Sequence, residues 1–224
     1  MTNLPRAIII EIDGCLADNS HRLHFVDPIK AGCIPGMTDI LDKREPFSKY
    51  CVNPVTREKF KPDYEAFYNA ISDDKVNEWC LELLHGMHES YCDTGSEGER
   101  DYNEDFHFLF ITERPNRFRH KTLRWLRTVL AEDIGRFNTE IVKNWTGKLF
   151  MRPDTIRIRE EYSTGLHRVV GSKNIPDNRP AHEVKREIYM NEIAGKYEIL
   201  FAIDSDERVC EMWKSLGITT LQVK

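Results

Sequence analysis

Short apolar runs recur along the chain, separated by stretches with helical spacing. AIIIEI at 7–12, FHFLFIT at 106–112, KLFM at 148–151, EILFAI at 198–203 and ITTLQV at 218–223 read as strands buried on both faces. Between them the periodicity predicts helices over 63–90, 116–131, 181–194 and 205–216. The first of these breaks near Ser72-Asp73-Asp74, a cluster that reads as the N-cap of a second helix. Alternation of this kind predicts an α/β fold, a parallel sheet of about five strands with helices on both faces. Ligands of such sheets sit at the carboxyl ends of the strands, which places Glu11, Asp13, Thr112 and Asp204 at one edge.

Two stretches break the alternation. Residues 15–61 carry Pro28, Pro35, Pro46 and Pro54 with little periodicity, as lids and binding loops do. At 155–177, TIRIREEYSTGLHRVV alternates apolar and polar residues around Ser163-Thr164-Gly165, which reads as a β-hairpin insertion projecting near the active edge. The expected organisation is one domain over 1–224, with 15–61 as a lid-like insertion and 155–177 as the hairpin.

Composition narrows the class. A chain of 224 residues, 40% hydrophobic and 31% charged, fits one ordinary soluble domain, and a net charge of −5 excludes a general cationic coat for nucleic acid while allowing a local basic patch. No apolar run reaches membrane-spanning length and the start lacks the zones of a signal peptide, so a cytoplasmic protein with no membrane partner is expected. The six cysteines include no CxxC pair and read as reduced thiols. Cys80, His85, His88 and Cys92 match no usual zinc spacing and read as positions on an amphipathic helix.

Four stretches in order, IIIEIDGCLAD, LFITERP, HEVKREI and LFAIDSDERVCEMWKSLGITTLQV, resemble the motifs of the haloacid dehalogenase-like (HAD) hydrolases, and most closely the phosphatase domain of phage polynucleotide kinases. The resemblance implies a Rossmann-like HAD fold and a Mg²⁺-dependent phosphatase acting on a nucleotide or the terminal phosphate of a nucleic acid. It would place the protein in the host cytoplasm if phage-encoded. It implies further that the first carboxylate, here Glu11, attacks phosphorus and that Asp13 transfers protons. Thr112 would donate its hydroxyl to the phosphate and Lys185 would neutralise charge. Asp204 would hold Mg²⁺ with Glu11 and the Asp13 backbone, with Asp206 as a further ligand. Phosphoryl transfer needs these parts: an in-line nucleophile, a proton donor and positive charge around the phosphate oxygens.

Three positions depart from the motifs. Glu11 stands where the family has aspartate, Glu113 where it has glycine, and Ser205 where it has a second aspartate. One added methylene moves the attacking oxygen by about 1 Å, a displacement that can cost about a hundredfold in rate. The departures together predict a phosphatase that is weakened, repurposed or silent. From Arg114 to Leu130 the chain has six Lys/Arg and no acid, with Arg117, Lys121 and Arg124 at helical spacing. That stripe is either a solvated face or, with Thr112 and Arg114, the binding surface for a phosphorylated ligand. Two readings stand: a Mg²⁺-dependent phosphatase, favoured by Asp13, Thr112, Lys185 and Asp204, and an inactive HAD-fold protein that binds a phosphorylated ligand or a protein, favoured by the three departures.

Overall fold

The isoleucine run after Arg6 forms the centre of the sheet. In a computed structural model, residues 4–35, 51–56, 58–91, 106–132, 148–164 and 167–224 are described. The elements are β1 (Arg6–Glu11), β2 (Ala17–Asp18), β3 (Ile34–Pro35), β4 (Cys51–Val52), α1 (Tyr64–Asn69), β5 (Lys75–Val76), α2 (Glu78–Tyr91), β6 (Phe106–Pro115), α3 (Arg119–Glu132), β7 (Leu149–Arg152), β8 (Thr155–Thr164), β9 (His167–Pro176), α4 (Ala181–Ile188), β10 (Glu198–Asp204), α5 (Glu207–Ser215) and β11 (Thr220–Gln222). Five strands form one sheet in the order β11-β10-β1-β6-β7. Every pairing in it is parallel. This is the α/β, Rossmann-like architecture expected from the alternation.

Pleating divides the core. Ile8, Ile10, Phe108 and Phe110 face a cluster with Leu81 and Leu84 of α2 and Leu126 and Leu130 of α3. Ala7, Ile9, Leu109 and Ile111 face the opposite cluster, with Val209, Met212 and Trp213 of α5 and Ile193. Burial of both faces is why these strands carry unbroken apolar runs. By the same parity Glu11 follows Ala7 and Ile9 toward the layer that contains α4.

Several elements differ from the sequence expectation in ways that bear on the site. The helix expected over 181–194 leaves α geometry at Ile188 and continues as a π turn over Tyr189–Ile193. The stretch at 63–90 is broken more widely than expected: a 3₁₀ turn over Ala70–Asp73 and the short strand β5 separate α1 from α2. Asp74 is therefore three residues short of the α2 N-terminus, and its carboxylate is turned into the interior. The carbonyl of Asn77 instead accepts the amides of Cys80 and Leu81 at 3.0 and 3.2 Å. Within 15–61, β3 pairs antiparallel with β4, while β2 pairs antiparallel with β5 beyond that stretch; residues 36–50 and 57 lie outside the described residues. β8 and β9 pair antiparallel over their whole length, Thr155 opposite Pro176 and Thr164 opposite His167. They form their own two-stranded sheet. No helix among the described residues is long and apolar enough to cross a membrane.

Candidate active site

β1 stops at Glu11 and the chain reverses at once. The Gly14 amide donates to the Ala17 carbonyl at 2.9 Å and the Ala17 amide to the Ile12 carbonyl at 2.7 Å. Gly14 sits at φ +81°, and a Cβ there would lie 2.9 Å from Ser205 Oγ, so both conformation and space call for glycine. Because Asp13 lies beyond the strand, pleat parity no longer binds it to Glu11. The two carboxylates border one cavity but take different partners.

Glu11 is held on the α4 side. Its Oε1 accepts the amides of Ile12 and Asp13 at 2.9 and 3.0 Å. Its Oε2 pairs with Lys185 Nζ. Lys185, buried on α4, donates as well to Asp204 Oδ2 at 2.7 Å, from the end of β10. Two buried carboxylates thus share one ammonium. Burial pushes the Glu11 carboxyl up to about 8, against the pull of Lys185 and with the Asp204 and Asp13 charges adding to the rise. Burial opposes the Lys185 charge, but Glu11 and Asp204 outweigh it and raise the ammonium above its ordinary value.

Asp13 faces a second cluster. Arg114 forks onto it, Nε to Oδ2 at 2.9 Å and Nη2 to Oδ1 at 2.7 Å, and Arg22 pairs with Oδ1. Both guanidinium groups continue to Asp74: Arg22 Nε to Oδ1 at 2.7 Å, Arg22 Nη2 to Oδ2 at 3.0 Å and Arg114 Nη2 to Oδ2 at 2.7 Å. Two buried cations balance two acids. Arg22 also lies over the Phe67 ring at 4.1 Å. Burial raises the Asp13 carboxyl, but Arg114 and then Arg22 more than offset it and hold the group below the usual carboxylate range. Asp74 goes the other way, raised by burial despite its guanidinium partners. Trp125, buried, donates its Nε1 to the Asp74 carbonyl at 2.8 Å.

Glu11, Asp13, Glu113, Lys185, Asp204 and Asp206 are among the residues that line a cavity of about 180 Å³. Thr112 is fully buried and is not among the residues that line it; its Oγ1 accepts the Arg114 amide at 3.3 Å. Asp206 caps α5, Oδ1 accepting the amides of Arg208 and Val209 at 2.8 and 3.1 Å. Glu113 Oε2 lies 3.4 Å from Arg152. The basic stripe does not line this cavity. Arg117 makes exposed pairs with Glu65 at 3.4 Å and Asp154 at 3.5 Å, Lys121 donates to Asn69 Oδ1 at 2.6 Å, and Arg124 is exposed. Sequence reasoning missed Arg22 and Asp74. Arg22 lies in a segment without periodicity, and Asp74 resembled a cap; a buried arginine pairing across the fold leaves no local pattern.

No three His, Cys, Asp or Glu side chains gather as a metal cluster among the described residues. A magnesium ion asks for less, since it is commonly held by one or two carboxylates together with water and substrate phosphate. Glu11 and Asp204 supply two buried carboxylates with hard oxygen donors, and the excess of negative charge around Lys185 suits a divalent cation.

Residues 151–224 match the family model described as the polynucleotide kinase PNKP phosphatase domain. No curated protein matches the chain. Two solved chains cover all of it, one described as "Structure of Pnkp1/Rnl/Hen1 complex" at 20% identity and TM-score 0.48, the other as "Structure of the Pnkp1/Rnl/Hen1 RNA repair complex" at 21% and 0.49. The chain spans 47% and 43% of their lengths, less than half in each case.

Proposed function

We propose that this chain, whose fold and motifs resemble the HAD-like hydrolases and whose residues 151–224 match the polynucleotide kinase phosphatase domain, is a Mg²⁺-dependent phosphatase for nucleotide or nucleic-acid terminal phosphates. One observation carries the reading: Glu11 and Asp13 from the end of β1, Lys185 from α4 and Asp204 from the end of β10, three separate parts of the chain, border a single cavity. Its volume of about 180 Å³ suits one small group such as a phosphate.

In this reading Glu11, Asp204 and the Asp13 backbone carbonyl would hold Mg²⁺, with Asp206 as a further ligand. The ion supplies Lewis-acid charge to the phosphate oxygens. A Glu11 oxygen forms a bond to phosphorus as the ester P–O bond breaks, and the leaving oxygen takes its proton from a solvent water, leaving a hydroxide that is neutralised by the proton Asp13 later collects. Water then attacks phosphorus, frees Glu11 and leaves inorganic phosphate. Lys185 screens Glu11 from the approaching anion. Asp13, ionised between its two arginines, is suited to take the proton from that water. Thr112 acts through Arg114, whose amide it holds, and so fixes the fork that orients Asp13. Asn19, from the 15–61 stretch, lines the cavity, and we assign it together with the hairpin strands β8 and β9 to the rim that restricts which esters enter.

A second reading has its own observation. Both Glu11 oxygens are already engaged, Oε1 by two backbone amides and Oε2 by Lys185, as suits a site that binds without turning over. Phosphate release from a panel of nucleoside 3′- and 5′-monophosphates and simple esters, with and without Mg²⁺, separates the two. Mg²⁺-dependent release that Asp13→Asn abolishes supports the phosphatase. Absence of release from every ester, with a phosphorylated ligand still bound, overturns it in favour of the silent protein.

A further inference from the structure

A groove of about 600 Å³ adjoins the cavity, and Tyr68 and Glu113 belong to the lining of both. Its size falls within the roughly 300–1,000 Å³ of small-molecule sites. We propose that this groove seats the single nucleoside that carries the scissile phosphate, with the base stacked on Tyr64. The proposal rests on the phosphatase reading for the identity of the neighbouring group.

Three observations lead there. Tyr64 and Tyr68 lie one turn apart on α1 and therefore share a helix face. Tyr68 is fixed as a wall, its ring 5.1 Å from Phe67 and 5.2 Å from Phe118, whereas Tyr64 is 57% exposed and has a ring face to offer. An aromatic face stacks any base without reading its identity. The second observation is charge. The groove holds Arg117, Arg152 and Arg179 against Glu113, Asp154 and Asp177. Each arginine is already paired: Arg152 with Glu113 at 3.4 Å, Arg179 with Asp177 at 2.8 Å, Arg117 with Asp154 at 3.5 Å. A lining balanced in this way offers little to a second phosphate and suits the neutral sugar and base. Third, the shared Tyr68 and Glu113 put the groove where a leaving group must lie when its phosphate occupies the cavity.

The test compares adenosine 3′-monophosphate, glycerol phosphate and a dinucleotide bearing the same 3′-phosphate. Tyr64→Ala should lower the ratio of kcat/KM for the nucleotide to that for glycerol phosphate by about tenfold or more, mostly through KM, and Tyr64→Phe should restore it. The dinucleotide should differ from the mononucleotide by less than about threefold in KM, because the groove's arginines are already paired with acids. A ratio unmoved by Tyr64→Ala overturns the stacking role. A tenfold, salt-sensitive advantage for the dinucleotide overturns the single-nucleoside reading. Fluorescent ethenoadenosine monophosphate, titrated without Mg²⁺, gives a second measurement. If no ester is hydrolysed but its Kd rises in Tyr64→Ala and returns in Tyr64→Phe, the phosphatase reading fails while the groove stands. If its Kd is the same in all three proteins, the groove fails whatever the activity.

Discussion

Replacing Arg22 with methionine separates the charge of the buried cluster from its packing. The methionine stem can keep the contact over the Phe67 ring, which the guanidinium approaches to 4.1 Å. What disappears is electrostatic. Asp74 loses the bonds of 2.7 and 3.0 Å from Arg22 and keeps the one of 2.7 Å from Arg114, while Asp13 keeps only the Arg114 fork. Two acids then face one cation where there is little water to screen them. Breaking a buried pair on one side costs about 3–5 kcal/mol. That is a large part of a typical stability of about 5–15 kcal/mol. At about 2–4 °C per kcal/mol for a chain of this size, Tm should fall by about 6–20 °C. The pH dependence identifies the cause. Asp13 has a folded pKa below its ordinary 3.8, so its contribution is present above that value and is lost as pH falls through the lowered one. In Arg22→Met that depression weakens and the Asp74 carboxyl rises further, so both acids are neutralised at higher pH and the deficit should narrow between neutral pH and about 3. Urea unfolding of both proteins at several pH values measures this. A deficit under about 1 kcal/mol at neutral pH, or one constant as pH falls, would refute the account of the cluster as a charge-balanced clamp.

Glu11→Asp tests nucleophile length: it should raise Mg²⁺-dependent hydrolysis by about tenfold or more, and a variant that binds Mg²⁺ and stays inert shows that Ser205 or Glu113 also limits the reaction. Thermal melts should find that Mg²⁺ stabilises the protein more as pH rises toward 8. Glu11 is raised from 4.5 to about 8, so without metal its contribution is present below 4.5 and lost as pH rises through 8, while the cation competes with that proton. Glu11→Gln should flatten this trend, and an unchanged Mg²⁺ effect in the variant would rule out Glu11 as a ligand. Replacing residues 157–174 with a short glycine turn should move Tm by less than about 3 °C while changing preference among esters, because among the described residues β8 and β9 pair with each other and with no other strand. Loss of folding would mean that the hairpin belongs to the core.

The α/β class was legible in the sequence because it follows from local periodicity, and the same periodicity points to the sheet edge that carries the candidate site. Unbroken apolar runs such as AIIIEI exist since both sheet faces are buried, and the acids that follow AIIIEI, FHFLFIT and EILFAI mark strand ends of the kind where ligands sit. That is how Glu11, Asp13 and Asp204 could be expected at one edge, and all three line one cavity. Partners across the fold were not legible. Arg22 is 52 residues from Asp74, and Arg114 is 101 from Asp13, so no window of sequence contains the cluster they form. Parity also misleads at the decisive point: Glu11 and Asp13 are two apart, but β1 ends at the first of them and the Gly14 turn sends the second to different partners. The spacing of Arg117, Lys121 and Arg124 predicts one helix face, but Arg117 lies in the 3₁₀ turn over Asn116–Phe118 ahead of α3, and the partners of Arg117 and Lys121, Asp154 and Asn69, come from other elements. Local pattern fixes what each segment becomes, whereas charge pairing depends on which segments meet, and only the assembled fold brings those groups within a few ångströms.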